Sequence, residues 1–339
     1  MKARILLEDG TIIEGTSFGA DKTVFGEIVF NTGMTGYQEI LTDPSYAAQV
    51  VVMTYPLMGN YGINPLDVQS SKIHVSGLVV KEYCEDFSNC KATKSLSEYL
   101  IENDIFAISN LDTRMLTKKN RSQGTMNCVM TTKDITEELK IELANYKFPS
   151  NIVSQISRKS TDIIRVSGNK QIGVIDFGVK NGIIKQLNRL DSDVTIFPFD
   201  IASSKILESN LDALLFSNGP GDPKMVIPAI KTAENLIGKI PIFGICLGHQ
   251  ILALALGGDT YKLKFGHRGS NHTVINLSNN KVSITSQNHG YAVYEDSLKE
   301  GSQITYKNVN DGTVEGFSCK SFNIHTVQFH PEAGPGPND

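Results

Sequence analysis

The sequence predicts an α/β protein with a strand-rich N-terminal domain over residues 1–150 and a C-terminal domain over residues 170–339. From Lys170 onward, short apolar runs alternate with amphipathic stretches. This alternation predicts repeated βαβ units in an open, mainly parallel, doubly wound sheet. The first half has apolar runs bounded by turn residues but few long helical patterns. Residues 151–169 have little periodicity and many Ser, Asn, Lys and Arg side chains, so we interpret them as a linker.

Composition limits the class of protein before any motif is considered. The chain has 339 residues, of which 40% are hydrophobic and 20% are charged, which is typical of a globular protein large enough for two cores. Its formal net charge of -4 favours neither a nucleic-acid partner nor an anionic membrane partner. No apolar run approaches the ~20 residues that a membrane-spanning helix needs, and acidic residues follow Met1 too early for a signal peptide.

The cysteines indicate a reducing compartment. There are 5 of them, an odd number, and they are scattered without a Cys-x-x-Cys pair. This pattern predicts free thiols, and it predicts neither a disulfide framework nor a zinc site. We therefore expect a cytoplasmic protein, or one from an equivalent reducing compartment such as a plastid, without a metal site.

The N-terminal domain is expected to open with a hairpin, because two apolar runs flank the turn residues Asp9 and Gly10. Residues 31–46 contain two glycines and a proline, and they predict a loop with a short helix. Further short helices are expected at residues 96–102 and 134–144. Strands are expected at residues 3–7, 11–15, 27–31, 49–54, 75–80 and 105–108. A supporting role and a functional role are both open for most of this domain.

In the C-terminal domain, strands and helices alternate up to a strand that leads into Cys246. Earlier strands are expected at residues 172–176, 194–198 and 213–217, and helices at residues 181–190, 204–209 and up to about residue 237. The last third predicts mixed β structure, with strands at residues 273–277, 281–285, 303–308, 314–318 and 324–330. Ligands of such sheets bind outside the carboxyl ends of the parallel strands, so we expect the functional site there.

The segment from Gly244 to Gly248 has the pattern Gly-x-Cys-x-Gly between an apolar run and an apolar helical pattern. This is the nucleophile-elbow pattern with sulfur in place of oxygen. Because the glycines leave room for a sharp strand-to-helix turn, Cys246 is expected in a strained, exposed position at the sheet edge. The helix start directs its N–H groups and its dipole at the sulfur, which favours the thiolate. The alternative is a buried cysteine beside helix-packing glycines.

A cysteine nucleophile needs a base and a group that orients the base. His330 is the best candidate, since it ends a predicted strand and Pro331 restricts it to an extended conformation. In an extended chain, His330 and Glu332 project to the same side, so the carboxylate can accept a hydrogen bond from the imidazole. His249 lies one helical turn past Cys246, but it is more typical of a packing histidine. Roles are left open for three histidines in polar stretches, His267, His272 and His289.

An acyl transfer also needs hydrogen-bond donors for the oxyanion. The backbone N–H of Leu247, the residue after the cysteine, is one natural donor. The loop of residues 218–223 leaves a neighbouring strand at the same edge of the sheet. Gly219 or Gly221 is therefore expected to supply a second N–H, because glycine lets the backbone approach a ligand closely.

Three motifs together resemble the class I, or triad, glutamine amidotransferases: Gly-Ile-Cys-Leu-Gly-His-Gln at residues 244–250, Ser-Asn-Gly-Pro-Gly-Asp-Pro at 217–223 and His-Pro-Glu at 330–332. Residues 30–46, 111–114 and 287–290 narrow the resemblance further. They are similar to segments of the small, glutaminase subunits of carbamoyl-phosphate synthetase. The similarity runs from the first strand to the last residue, and other class I amidotransferases lack the N-terminal domain.

The resemblance implies roles for individual residues. Cys246 would be the nucleophile, His330 the general base and acid, and Glu332 the group that orients the histidine. The positions that match the family's glutamine contacts are Ser45, Gly219, Gly221, Leu247, Gln250, Asn288, Gly290 and Tyr291. The family usually has Phe in place of Tyr291, and its members continue past Pro-Gly-Pro with a C-terminal helix. Because this sequence ends at Asp339, we expect that helix to be missing and part of the sheet to lack a helical cover.

The resemblance also implies the reaction. Glutamine and water would give glutamate and ammonia through a cysteine thioester, and the ammonia would pass to a large subunit that makes carbamoyl phosphate. L-glutamine and this large subunit are therefore the expected partners. ATP and Mg²⁺ are expected on the large subunit and no cofactor is expected in this chain, which has no segment that resembles a P-loop.

Two alternatives belong to other classes of protein. A thiol hydrolase of the dienelactone-hydrolase type also has a cysteine elbow, but it would lack the loop of residues 217–223 and the His-Pro-Glu ending. A catalytically inactive scaffold that only binds a partner would not need an intact set of Cys246, His330 and Glu332.

Overall fold

A computed structural model describes residues 1–337 of the chain. The chain divides between Pro149 and Ser150 into two compact units, which are described separately below. Among the described residues, no helix is both long enough and apolar enough to cross a membrane.

The first unit is built on a closed β-barrel and a separate two-stranded sheet. Its strands are β1 (Lys2–Leu7), β2 (Ile12–Gly19), β3 (Val24–Asn31), β4 (Gln49–Met53), β5 (Leu57–Met58), β6 (Gly77–Val79), β7 (Glu82–Tyr83), β8 (Phe106–Ser109) and β9 (Met126–Thr131). The barrel has the strand order β1-β2-β8-β6-β4-β3-β9, and β5 pairs with β7. The predicted opening hairpin is confirmed, since β1 and β2 pair antiparallel and Gly10 occupies the turn with φ 85°.

Four neighbouring strands of the barrel, β3, β4, β6 and β8, run parallel and place one row of side chains in the core. Val29 pairs with Val51, Val51 with Leu78, and Leu78 with Ala107 across successive strands. All four side chains are fully buried. Burial of an aliphatic side chain of this size stabilises the fold by about 1.5–3 kcal/mol, so this row is a substantial part of the barrel core.

The helices of the first unit are α1 (Tyr37–Thr42), α2 (Leu96–Glu102), α3 (Thr113–Gln123) and α4 (Glu137–Asn145), with a short 3-10 helix at Pro44–Tyr46. The predictions at residues 31–46, 96–102 and 134–144 are confirmed, but α3 and strand β9 were not predicted. The reason lies in the burial pattern of α3, where only Thr113, Leu116 and Asn120 are buried, so the apolar period is weak. The helix begins instead at a polar cap, because the Asp112 side chain accepts a hydrogen bond from the backbone N–H of Met115 at 2.9 Å.

The second unit contains a mixed sheet of ten strands. Its strands are β10 (Asp162–Ile164), β11 (Lys170–Asp176), β12 (Ser192–Pro198), β13 (Ala213–Phe216), β14 (Ile242–Ile245), β15 (Thr260–Asn276), β16 (Lys281–Val293), β17 (Ser302–Asn308), β18 (Val314–Cys319) and β19 (Ile324–Val327). Its helices are α5 (Ile152–Ile156), α6 (Asn181–Arg189), α7 (Ser203–Leu207), α8 (Ile227–Leu236) and α9 (Leu247–Ala255). The strand order is β10-β12-β11-β13-β14-β19-β18-β17-β15-β16.

The predicted α/β sheet is confirmed, and its parallel part consists of β12, β11, β13, β14 and β19. Strands β18, β17, β15 and β16 extend this part with antiparallel pairs, as expected for the last third of the chain. Strands β15 and β16 are much longer than predicted. The register between them shifts twice, and such bulges interrupt the alternation that a sequence pattern can detect.

Residues 151–169, which the sequence analysis interpreted as a linker, contain helix α5 and edge strand β10. This segment is held mainly by polar contacts. The Asp176 carboxylate accepts hydrogen bonds from the backbone N–H and from Nε of Arg158, at 2.9 and 3.0 Å. The Asp193 carboxylate accepts from the backbone N–H groups of Val166 and Gly168, at 2.8 and 3.0 Å. Because side-chain-to-backbone bonds leave no periodic apolar pattern, these elements could not be predicted from the sequence.

Candidate active site

Cys246 stands at the sharp turn between β14 and α9. Its backbone has φ 54° and ψ -104°, a sparsely populated conformation that costs on the order of 1–3 kcal/mol. Its N–H donates to the carbonyl of Val327 on β19 at 2.9 Å, so the turn is fixed to the neighbouring strand. The side chain is buried, and Sγ lies 3.6 Å from the carbonyl oxygen of Asn288. An exposed sulfur was expected from the sequence, and this expectation is wrong, because the Cys246 side chain is buried.

The glycines beside the cysteine are required by close contacts. A Cβ on Gly248 would lie 2.0 Å from the carbonyl oxygen of Phe216 on β13, which is far inside van der Waals contact. A Cβ on Gly244 would lie 2.9 Å from the carbonyl carbon of Gly248. The backbone N–H of Gly248 also donates to the Ser217 carbonyl at 3.0 Å. The start of α9 is therefore packed directly against the end of β13 and the loop that follows it.

His330 and Glu332 form a buried pair. Nδ1 of His330 lies 2.7 Å from Oε1 of Glu332, and both side chains are almost fully buried. His330 lies beyond the end of β19, and it pairs with Ser286 of β16 in an isolated bridge. Burial by itself would lower the pKa of His330, but the charge of Glu332 and the neighbouring Cys246 outweigh burial and raise it. Nε2 of His330 has no hydrogen-bond partner among residues 1–337, which leaves this nitrogen for a substrate or for the thiol.

Lys180 is a member of the site that the sequence analysis missed. Its Nζ lies 3.0 Å from Oε1 of Glu332 and donates to the carbonyl of Ala333, and its side chain is only 3% exposed. Burial would raise the pKa of Glu332, but Lys180 and then His330 lower it, so the carboxylate is held ionised. One feature of the sequence could have indicated Lys180. It follows strand β11 closely, at the sheet edge where the loop of residues 218–223 was also expected.

The turn that carries Lys180 is fixed to the loop after β13. The side chain of Asn218 accepts from the backbone N–H of Lys180 at 3.2 Å and donates to the carbonyl of Gly178 at 2.9 Å. The Asp176 carboxylate accepts from the N–H groups of Gly178 and Val179, at 2.9 and 2.8 Å. Three strand ends, those of β11, β13 and β14, therefore supply one connected set of groups, as expected for the carboxyl edge of a parallel sheet.

Most of the predicted glutamine contacts belong to this set. A Cβ on Gly219 would lie 2.8 Å from Cδ2 of Leu247, so Leu247 and Gly219, one of the two glycines expected to supply the second oxyanion donor, are on adjacent backbone segments. Nε2 of Gln250 donates to the Tyr291 carbonyl at 2.8 Å and to Oε1 of Gln328 at 2.9 Å. Gly221, with φ 89°, lies in the same loop as Gly219, and Gly290 lies on β16 between Asn288 and Tyr291. Because Tyr291 contributes its carbonyl here, replacement of Phe by Tyr does not affect this contact.

Ser45 lies in the first unit, in the 3-10 helix Pro44–Tyr46, and it is 5% exposed. The Asp43 carboxylate accepts from its N–H at 2.9 Å. Nearby, Asn31 donates to the Tyr46 hydroxyl at 2.7 Å, so the predicted loop is internally tied by polar side chains. The part that Ser45 plays in glutamine binding stays a prediction.

The other histidines are separate from the catalytic pair. Burial lowers the pKa of His249 to about 3, its Nδ1 lies 2.8 Å from Oγ1 of Thr326, and its ring packs on Phe317 with centroids 5.2 Å apart. His249 is therefore a neutral packing residue. His267 and His289, whose roles the sequence left open, pair directly across β15 and β16.

Comparison with known proteins first defines the class. Residues 173–339 match the family of class-I glutamine amidotransferases. A glutamine amidotransferase structure from Thermotoga maritima covers 48% of this chain and 76% of its own, at 19% identity and a TM-score of 0.40.

The first half of the chain then defines the family. Residues 5–130 match the CPSase domain of the carbamoyl-phosphate synthase small chain. The carbamoyl phosphate synthase small chain of Clostridium acetobutylicum is 50% identical, over 100% of this chain and 97% of its own. That of Caldanaerobacter subterraneus subsp. tengcongensis is also 50% identical, over 100% of this chain and 93% of its own. The chain belongs to the carbamoyl-phosphate synthase small-chain family.

Replacement of Gly248 by alanine tests the close contact at the elbow. Because the added methyl group would meet the Phe216 carbonyl, we expect Gly248→Ala to lower the free energy of unfolding by at least about 1–3 kcal/mol. The measurement is thermal and urea unfolding of both proteins. Gly312→Ala is the control, since it adds the same methyl group with no heavy atom within 4 Å and only a φ of 75° to oppose it. Equal losses in the two variants would contradict the close-contact explanation.

Replacement of Lys180 by methionine tests the charge beside the catalytic pair. Without this cation the pKa of Glu332 and the pKa of His330 both rise, because Lys180 lowers both. Since we expect protonated His330 to donate its proton to the departing amino group, the basic limb of kcat/KM for glutamine, where this proton is lost, moves to higher pH. A weaker acid also transfers its proton less readily. At neutral pH we expect a loss of about 10- to 100-fold, below the 10²–10⁴ that a positioned acid–base contributes in full. Lys185→Met, an exposed change on α6, is the control, and an unshifted pH profile for Lys180→Met would refute this role.

Proposed function

We propose that this protein hydrolyses L-glutamine at Cys246 and supplies the ammonia to a large, ATP-dependent subunit that makes carbamoyl phosphate. The observation that carries the proposal is a cysteine on a strained elbow, beside a buried His330–Glu332 pair. Membership of the small-chain family supports the choice of reaction and partner. The thiol hydrolase and the inactive scaffold are not favoured, because both halves of the chain match this family.

The first half of the reaction forms a thioester. The Cys246 thiolate attacks the side-chain carboxamide carbon of glutamine, and the N–H groups of Leu247 and Gly219 stabilise the oxyanion. Protonated His330 then donates its proton to the departing amino group through Nε2. The carbon–nitrogen bond breaks, ammonia leaves, and the glutamyl group remains on the sulfur.

The second half regenerates the enzyme. His330, now neutral, removes a proton from a water molecule that attacks the thioester carbon. The carbon–sulfur bond breaks, glutamate leaves, and His330 again holds the proton beside a thiolate. Glu332 stays ionised throughout, since Lys180 and His330 both stabilise its charge. Its role is to hold the imidazole ring through Nδ1, so that Nε2 always faces the reacting atoms.

The remaining assignments concern binding and location. We place the glutamine substrate against Gly219, Gly221, Gln250, Asn288 and Gly290, with Ser45 and Tyr291 contributing from their own segments. ATP and Mg²⁺ belong to the large subunit, and the chemistry described here uses side chains and backbone of this chain alone. A reducing compartment fits the chain, because all five cysteines, which lie within residues 1–337, are free thiols. Neither a nucleic acid nor a membrane has a part in this reaction.

Replacement of Cys246 by serine tests the nucleophile. A hydroxyl is a far weaker nucleophile than a thiolate, so we expect glutamine hydrolysis to fall by at least about 10³-fold. Synthesis of carbamoyl phosphate from free ammonia by the complex with the large subunit should continue. The assay follows glutamate release and carbamoyl phosphate formation in parallel. Cys319→Ser, another buried cysteine of the second unit, is the control, and wild-type glutamine turnover by Cys246→Ser would exclude this mechanism.

We also propose that the first unit docks the large subunit and that its loop around Ser45 contributes to glutamine binding. Residues 31–46 support this, because they hold small polar side chains and glycines that are tied together by Asn31 and Asp43. A purely supporting loop would not need such a set of short donors. The proposal rests on this loop and on the family, since the CPSase domain accompanies the amidotransferase domain in the relatives.

Two changes at Ser45 test this second proposal. Ser45→Ala removes the hydroxyl without added bulk and should raise the KM for glutamine severalfold while kcat changes little. Ser45→Phe adds bulk and should also uncouple glutamine hydrolysis from ATP use in the complex. Ser88→Phe, an exposed position in the same unit, is the control, and thermal unfolding checks that each variant is folded. An unchanged KM and unchanged coupling in both Ser45 variants would make Ser45 an ordinary structural residue.

A further inference from the structure

Two histidines and a glutamate that are not part of the His330–Glu332 pair converge in the antiparallel part of the second unit. His267 on β15 pairs with His289 on β16, and Glu315 lies on β18. One nitrogen or oxygen atom from each side chain lies within 4.8 Å of the other two. Their exposures are 6%, 5% and 0%, so the cluster is inside the protein. A register shift in β15 just before His267 contributes to this convergence.

Each imidazole is fixed by an oxygen acceptor at one of its nitrogens. Nε2 of His267 lies 2.8 Å from Oδ2 of Asp311, and Nδ1 of His289 lies 2.8 Å from the Tyr291 carbonyl oxygen. These contacts place a proton on each of those two nitrogens. In metal sites the ligating histidines almost always donate their second N–H to a carboxylate or a backbone carbonyl, which orients the ring and raises its basicity.

The other ring nitrogen of each histidine and the Glu315 carboxylate carry lone pairs, and too few N–H or O–H groups are near to donate hydrogen bonds to them. Nδ1 of His267 is buried without a hydrogen bond in the described part of the chain and lies 3.5 Å from Oε1 of Glu315. Oε2 of Glu315 is likewise buried and unpartnered there. Nε2 of His289 faces Oε1 of Gln287 at 3.1 Å. A buried polar group without a partner is costly, and a cation would satisfy several of these groups at once.

We propose that His267, His289 and Glu315 bind a divalent metal ion, and that Zn²⁺ is the ion their chemistry suits best. Two imidazoles and one carboxylate, with a water in the fourth position, form a known tetrahedral zinc set. Zinc ligands at 2.0–2.1 Å lie about 3.3 Å apart, so ligand atoms that now lie up to 4.8 Å apart must move closer by as much as about 1.5 Å when the ion binds. Asp311 and the Tyr291 carbonyl orient the two rings from outside the ligand set.

The metal would be structural. It would join β15, β16 and β18 next to the segment that contains Asn288 and Tyr291, which contact Cys246 and Gln250. No metal site was expected from the sequence, because the cysteines are scattered and form no Cys-x-x-Cys pair. The competing arrangement is a protonated His267 held between Asp311 and Glu315, which offsets one of the two negative charges without a metal.

The experiment measures metal content and needs no glutamine turnover, so its outcome is independent of the proposed glutaminase activity. The 339-residue chain carries Cys246→Ser, which removes the Cys246 thiol as a competing zinc ligand. It is stripped with a chelator, dialysed against Zn²⁺ and then against metal-free buffer. We expect about one zinc per chain by elemental analysis, a higher unfolding temperature with Zn²⁺, and visible absorption bands of a four-coordinate site when Co²⁺ replaces zinc.

Matched variants identify the ligands in the same background. His267→Gln and Glu315→Gln should lose the bound zinc and the rise in unfolding temperature. Asp311→Asn should weaken zinc binding by about 10- to 100-fold, as expected for a residue that orients a ligand. His325→Gln, an exposed histidine on β19, should keep the metal. Absence of zinc from the Cys246→Ser protein would overturn the proposal in favour of a protonated His267, and so would full retention of zinc in Glu315→Gln.

Discussion

The absence of a side chain at Gly248 is the constraint on which the site depends. It lets the first turn of α9 approach the Phe216 carbonyl more closely than any other residue would allow. That approach fixes the end of β13 and its loop against the helix, and Cys246, two residues earlier, has a strained backbone conformation with φ 54°. The cost of this strain is compensated by hydrogen bonds from the turn to β13 and β19. Cys246, the proposed nucleophile, is thus positioned by backbone packing.

Cys246, His330, Glu332 and Lys180 form a row of groups in which each is next to one of opposite charge when Cys246 is a thiolate and His330 is protonated. His330 is next to the thiol, Glu332 holds His330, and Lys180 holds Glu332. Burial of a carboxylate would normally favour its neutral form, but two cations beside Glu332 reverse that preference. Each charge is stabilised by the next one, so the arrangement depends on all its members. Such buried pairs are weak contributors to stability, which suggests that their value here is orientation.

The sequence predicted the parts of the site that lie within short stretches. The Gly-x-Cys-x-Gly pattern predicts its own sharp turn. Pro331 restricts His330 to an extended conformation, in which Glu332 projects to the same side. The elbow and the His330–Glu332 pair could therefore be predicted without a structure. Lys180 could not, because a single lysine after a strand is common and its partner Glu332 is far from it in the sequence. His267, His289 and Glu315 meet only once the register of β15, β16 and β18 is known. Helix α3 and strand β10 were missed for a related reason, since polar caps and side-chain-to-backbone bonds hold much of their structure.

The amide group of Gln250 has a consequence for selectivity. An amide nitrogen has two N–H groups, and both are already used, one on the Tyr291 carbonyl and one on Gln328. The Tyr291 carbonyl in turn accepts from His289 as well, so both of its lone pairs are occupied. Gln250 is left with its oxygen alone to offer to a ligand. An oxygen that can only accept attracts an ammonium group and repels a carboxylate, so Gln250, at the glutamine contact proposed for it, would distinguish the two ends of an amino acid by polarity and not by size.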